Sequence, residues 1–271
     1  MAATINMDGR LTGKVAVITG ASRGIGEAIA YRYAQEGAKV VVSARTVDEG
    51  DHPLPGSING VVQRIKDAGG EALAVRSDLS HEADRETLIQ AAEDAYGPVD
   101  ILVNNAAVTF FIPTAEFSEK RYKLMEEVQV YAPLHLSQLV LTGMRERKTG
   151  WIVNVSSHAA LHPEVDSGGG SGTVYGMCKA ALERFTTGLA AELYADNVSV
   201  NVISPGLVAT PGVVYHKLIN DSNKDNVTPV EHMAEACLRL SFSPASELSG
   251  RITYADQMIA EFDLEPQDLL A

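Results

Sequence analysis

Apolar residues fall along this chain in short, mostly apolar runs, separated by longer stretches in which they return every three or four positions. The runs lie at 15–18, 39–43, 72–76, 101–104, 151–156 and 199–204, with a last short one expected near 251–254. An unbroken run predicts a strand buried on both faces, because a strand with one wet face alternates. The stretches 59–68, 81–96, 118–145 and 173–195 carry helical spacing, and Ile25, Ala28, Ile29 and Tyr33 place one more helix directly after the first run. Strand and helix therefore alternate from end to end. That order predicts one α/β domain over 11–271, preceded by a short extension at 1–10, built as a doubly wound parallel sheet of about seven strands. In such sheets ligands bind beyond the carboxyl ends of the strands, where the strand order reverses.

Three segments interrupt the pattern. Residues 48–57 hold Gly50, Pro53, Pro55 and Gly56, too long for an ordinary βα connection and expected to be an exposed excursion. Residues 166–172 are mostly glycine and serine and are expected to be flexible, while 209–227 is expected to be mobile; any of the three could cover a substrate.

Composition narrows the class of partner. The 271 residues carry a formal net charge of −13, which argues against nucleic acid or an anionic membrane as the ligand. No apolar run approaches ~18 residues and the first ten lack a signal-peptide pattern, so a cytoplasmic location is the expectation. The two cysteines, Cys178 and Cys237, lack metal-ligand spacing and are expected as buried free thiols; no metal site is expected.

Chemistry concentrates in two motifs. Thr19-Gly20-Ala21-Ser22-Arg23-Gly24-Ile25-Gly26 stands between the first strand and its helix, where glycines allow a tight turn and a helix N-terminus offers amide donors to a pyrophosphate. Tyr175 and Lys179 stand four apart on a predicted helix and share a face, so the ammonium is expected to lower the phenol pKa toward working pH.

Together these motifs resemble the short-chain dehydrogenase/reductase family, with its TGxxxGxG loop and YxxxK pair, and the resemblance runs from about Leu11 to Tyr254. It implies a Rossmann fold and hydride transfer between a nicotinamide and a carbonyl or alcohol carbon. Asn104-Asn105-Ala106-Ala107 stands for the family's Asn-Asn-Ala-Gly, with alanine in place of the glycine. Asn154-Val155-Ser156-Ser157 supplies the serine that bonds the substrate oxygen, Ser157. Tyr175 is then the acid/base, and Lys179 holds the nicotinamide ribose while lowering the tyrosine pKa. The implied cofactor contacts are Gly20, Ser22, Arg23, Gly24, Ile25, Gly26, Arg45, Asp78, Leu79, Asn105, Tyr175, Lys179, Pro205, Gly206, Val208 and Thr210.

Two departures matter. Where the family places an asparagine whose main-chain carbonyl, freed at a helix kink, leads a water to the lysine, this chain has Gln129 in Gln129-Val130-Tyr131-Ala132-Pro133. Tyr175 also follows Ser157 by 18 residues, longer than is usual in the family, with the glycine tract accounting for the excess. Ser43-Ala44-Arg45 ends the second strand without a carboxylate for ribose hydroxyls, so Arg23 and Arg45 are expected to clamp a 2′-phosphate, favouring NADP(H) over NAD(H). Phe110, Phe111, His158, His162, Val208 and Tyr215 suggest an apolar pocket for a bulky ketone or alcohol. The excursion adds a likeness to hydroxysteroid-dehydrogenase-like members. The resemblance further implies a homotetramer or homodimer built on the helices at 118–145 and 173–195, the latter striped by Leu182, Phe185, Leu189 and Leu193. A different class remains open beside the enzyme: a catalytically impaired NADP-binding sensor or interaction protein, for which Gln129 and Ala107 would speak.

Overall fold

The computed structural model describes residues 4–166, 170–221 and 223–270. Seven parallel strands form one sheet in the order β3-β2-β1-β4-β5-β6-β7. They are β1 (Val15–Thr19), β2 (Lys39–Ala44), β3 (Glu71–Arg76), β4 (Ile101–Asn104), β5 (Gly150–Val155), β6 (Val198–Ser204) and β7 (Ile252–Tyr254). The order reverses between β1 and β4, which opens the crevice at their carboxyl ends.

Each run of apolar residues feeds two cores. Ala16, Ile18, Val40 and Val42 face one helical layer, whereas Val15, Val17 and Val41 face the other. Both faces exclude water, so period-two alternation leaves no polar trace in the sequence. Helices α1 (Gly24–Gln35), α2 (Ile58–Asp67) and α3 (Glu82–Tyr96) follow the first three strands. The stretch expected as one helix at 118–145 divides instead into α4 (Glu119–Glu126), a π-helical turn (Glu127–Tyr131) and α5 (Ala132–Arg147). Pro133 is the physical reason: it has no N–H to give Gln129, so the α-helical ladder cannot close there. Helix α6 (Thr173–Leu193) carries the Tyr175 pair.

Beyond β6 the segment expected to be mobile contains a short helix, α7 (Pro211–Tyr215), and an isolated bridge between Leu207 and Val227. Two helices without a sequence-based expectation of their own, α8 (Val230–Arg239) and α9 (Ala255–Phe262), complete the layer over α1. Of the glycine-rich tract expected to be flexible, 167–169 lie outside the described residues. Cys178 and Cys237 are buried free thiols. Of the α6 stripe, Leu182, Leu189 and Leu193 are buried within their own chain, whereas Phe185 is half-buried. No helix among the described residues is long and apolar enough to cross a membrane.

Candidate active site

The carboxyl ends of β1 and β2 open on a cavity of about 310 Å³. Gly20, Ser22, Arg23, Gly24, Ile25 and Gly26 line one wall, and Arg45, Asp78, Leu79, Asn105 and Thr210 line the rest. The glycines serve packing as well as approach: a Cβ on Gly20 would stand 2.7 Å from Ala106 Cα, and one on Gly26 2.5 Å from Asn105 Nδ2. Gly24 turns at φ +61°, and no side chain caps the helix that starts there. The first-turn amides of α1 thus remain donors toward the cavity, the arrangement a pyrophosphate requires.

Asn105, in the cavity wall, is also a strut. Its Nδ2 donates to the carbonyls of Thr19 at 2.9 Å and Gly20 at 3.2 Å, tying the glycine turn to the end of β4. Ala107 also lines the cavity, and its φ is not in the left-handed region, so the family's glycine is not required there. Asp78 accepts from the amide and hydroxyl of Ser80 and lies 4.0 Å from Arg45. Burial alone would raise its pKa, but the Ser80 bonds and Arg45 outweigh burial and hold it below the ordinary carboxylate range.

The excursion at 48–57 is largely exposed, as expected, and also reaches the cavity. Its exposed residues include Asp51, Pro53 and Pro55, but His52 and Leu54 line the cavity. Arg23 holds the loop: Nε donates to the Pro55 carbonyl at 2.8 Å, and Nη2 to those of Gly56 at 2.8 Å and Leu54 at 3.3 Å and to Thr46 Oγ1 at 3.2 Å. The expected second clamp of a 2′-phosphate is therefore largely committed to backbone carbonyls. Arg45 is exposed just beyond the end of β2, 4.0 Å from Asp78.

Ser157, Tyr175 and Lys179 converge at the end of β5. Ser157 hydrogen-bonds the Tyr175 phenol. Lys179, 2% exposed, donates from Nζ to the Val155 carbonyl at 2.8 Å and lies 5.7 Å from the Tyr175 ring centroid. Gly176 makes the convergence possible. A Cβ there would come 2.3 Å from the Ala159 carbonyl oxygen, so only glycine lets the turn at 158–160 lie directly on α6. A lone glycine inside a helical pattern was the signal that could have found it.

Burial sets the direction of both shifts in this trio. Burial raises the Tyr175 pKa above its ordinary value, and the Ser157 hydrogen bond offsets only part of that. Burial likewise lowers Lys179 to about 8, although Glu183 one turn on pulls it upward. Removing each group from water disfavours its charged form.

Gln129 lies in the π-helical turn, 1% exposed, and donates from Nε2 to the Val108 carbonyl at 2.9 Å. Pro133 has no N–H to give the Gln129 main-chain carbonyl, and the helix takes its π-helical turn there. The turn is anchored by Arg85, 1% exposed, whose Nη1 donates to Glu127 Oε1 and to the Leu79 carbonyl, both at 2.6 Å. Arg85 Nε also donates to His135 Nδ1 at 3.1 Å. That bond leaves the neutral ring's proton on Nε2, facing Glu82, so the Glu82, Glu86 and His135 cluster presents the wrong nitrogen for a metal.

The remaining expected residues divide. Phe111 meets Tyr175 edge-on with centroids 5.9 Å apart, and His158 stacks on Tyr254 at 4.4 Å. Tyr215 and His162 are exposed. Pro205, Gly206 and Val208 do not line the cavity; Val208 is buried and faces a second cleft with Tyr31 and Leu270. A Cβ on Gly206 would strike Thr228 Oγ1, so this glycine serves the fold locally.

The short chain dehydrogenase profile matches residues 14–217. The chain is 34% identical over 254 residues to the 7alpha-hydroxysteroid dehydrogenase of Escherichia coli (strain K12), covering 90% of this chain and 92% of that enzyme. A metagenomic short-chain oxidoreductase solved in complex with NADP superposes with a TM-score of 0.73 at 30% identity, over 90% of this chain and 97% of that one. The 3-oxoacyl (acyl-carrier-protein) reductase of Agrobacterium tumefaciens C58, solved with NADP bound, gives 0.77 at 30% identity, over 90% and 93%. On these matches, together with the uncapped helix behind the glycine turn and the convergence at the end of β5, the chain belongs to the short-chain dehydrogenase family of oxidoreductases.

Proposed function

We propose that this protein is an NADP(H)-dependent oxidoreductase that interconverts a ketone or aldehyde and the corresponding alcohol. The observation that carries the reading is the convergence of Ser157, Tyr175 and Lys179 on a sheet edge that also holds an uncapped helix N-terminus. When bound, the dinucleotide would supply or accept the hydride. Its pyrophosphate fits the α1 amides behind Gly20, Gly24 and Gly26, and the 2′-phosphate end fits Arg45.

The chain's own residues handle the oxygen and its proton. Ser157 Oγ, already bonded to the phenol, is placed to donate to the same substrate oxygen as charge grows on it. Tyr175 gives that oxygen its proton. A phenol whose pKa burial has raised is fully protonated near neutrality, so in this state the site is set as an acid, which is the reduction direction. Lys179 is fixed by the Val155 carbonyl beneath the phenol, and the π-turn carbonyl of Gln129 is the next acceptor for a proton relay. Phe111 against Tyr175 makes the approach apolar, which favours a bulky carbonyl compound.

Assembly as a homotetramer or homodimer and a cytoplasmic location belong to the same proposal. Leu134, Leu141 and Phe185 leave an apolar groove between α5 and α6 that a second copy would cover. The deciding experiment is cofactor oxidation with NADPH and NADH over a panel of ketones, aldehydes and diketones. Turnover with NADPH is expected; tight NADPH binding with no turnover across the panel would favour the binding-protein reading instead.

A further inference from the structure

At the 2′-phosphate end of the cavity one of the expected pair of arginines has most of its donors committed elsewhere. Arg23 spends its Nε and Nη2 on four acceptors in and beside the excursion, so it acts as a strut for that loop. What the strut holds in place is a second source of donors.

The loop is docked without slack. Gly56, at φ +101°, lies so close that a Cβ there would stand 2.5 Å from the Ser22 carbonyl oxygen and 2.9 Å from Arg23 Cβ. Its acidic residues are turned into the loop itself. Asp51 Oδ2 accepts from the amides of Val47 and Asp48 at 3.2 and 3.0 Å, Glu49 Oε2 from that of Gly56 at 3.1 Å, and Asp48 Oδ1 from Asn59 at 2.8 Å. None of the three lines the cavity.

The ionisable side chains that do line it are Arg23, Arg45, His52 and Asp78. Three of the four can carry positive charge, in a chain whose net charge is −13. His52 is oriented by its own loop, because the Leu54 amide donates to Nδ1 at 3.1 Å. With Nδ1 accepting, the ring proton sits on Nε2, so that edge presents an N–H donor whether the ring is neutral or charged. Burial, then Arg23 and Arg45, hold its pKa below the ordinary histidine value, which marks it as a neighbour of both guanidiniums.

We propose that His52, carried by the excursion after β2, donates from Nε2 to the 2′-phosphate of NADP(H) beside Arg45 and is a specificity-determining residue of this chain. The proposal rests on the NADP(H) reading and deepens it. The ligand chemistry is a phosphomonoester on the adenosine ribose, gripped by the exposed Arg45 guanidinium and the His52 imidazole, with Arg23 behind them as the strut. The excursion is then part of the cofactor site rather than a cover for substrate.

Calorimetric titration of the full chain with adenosine 2′,5′-bisphosphate and with 5′-AMP tests this without turnover. His52→Asn keeps an acceptor near the Nδ1 position for the Leu54 amide and deletes the Nε2 donor. It is expected to weaken the bisphosphate about 5–10-fold while 5′-AMP changes less than about twofold. His52→Gln, which carries an amide donor near the Nε2 position, is expected to recover most of the loss. Equal weakening of both ligands by His52→Asn, or no weakening of the bisphosphate, overturns the role of His52. If the unaltered protein binds 5′-AMP as tightly as the bisphosphate, the NADP(H) preference falls and this proposal with it. A preference for the bisphosphate that is undiminished in His52→Asn overturns this proposal alone.

Discussion

The turn after β1 and the segment after β6 stand at the same edge of one sheet, yet they are secured differently. At the first, Asn105 bonds two successive carbonyls of the glycine turn, and Arg23 gathers three more from the excursion. At the second, the chain is fastened by the Leu207–Val227 bridge and the Thr210 cap on the Val213 amide. Val214 and Tyr215 there, and Leu161 and Val165 after β5, hold their apolar side chains in water. The nucleotide wall is preorganised, so little ordering cost is left for binding. The wall toward the reacting carbon leaves apolar surface uncovered, the condition under which an apolar ligand gains most by arriving.

The sharpest break between the walls would come at the phenol. Tyr175→Phe removes the transferable proton and keeps the ring, so turnover is expected to fall about 10²–10⁴-fold while NADPH affinity, measured by fluorescence titration, stays near that of the unaltered protein. Gly176→Ala pushes a methyl group into the Ala159 carbonyl and displaces Ser157 from Tyr175. A turnover loss of up to about 10²-fold is expected, again with cofactor binding retained. A loss of binding in either variant would show that the two walls are not separable.

Lys179 tests the cost of the reacting wall. Its pKa falls from 10.5 to about 8 in the fold, so the unfolded chain holds more protons between those values and the folded state gains stability as pH rises through that window. Below about pH 8 the burial penalty is fully present. Lys179→Met is therefore expected to raise stability by roughly 2–3 kcal/mol at pH 7, with the advantage shrinking toward pH 10 in urea melts. An advantage independent of pH would refute the assignment. Arg45→Ala belongs to the other wall and should weaken NADPH roughly tenfold while barely moving NADH. Gln129→Asn is expected to be the mildest, altering turnover by less than about threefold, because the proposed relay uses a main-chain carbonyl that either residue supplies and Pro133 leaves without its α-helical donor.

Legibility in the sequence follows the range of the interaction. Ile101–Asn104 is recovered to the residue because a doubly buried strand writes itself as an unbroken apolar run. The stretch 118–145 reads as one helix because a π-helical turn adds a residue without changing composition, and only Pro133 marks the place. Tyr175 and Lys179 are legible as a pair, since i,i+4 is a local spacing. Their protonation is not, because burial of the phenol is a property of the whole fold. Arg23 shows the same limit. Its place in the glycine turn suggests a ligand, but the carbonyls that claim it lie more than 30 residues away and leave no periodic signal.

Arg85 makes the two walls heirs to a common constraint. One buried guanidinium fixes the carbonyl of Leu79, on the nucleotide side, and the carboxylate of Glu127, which opens the turn holding Gln129. Grafting either the β3 loop or the π-turn from a relative would import half of a joint. The fragment that can be exchanged is the set of Leu79, Arg85, Glu127 and His135 taken whole, so the natural cut points for recombining this chain lie outside that span, before β3 and after α5.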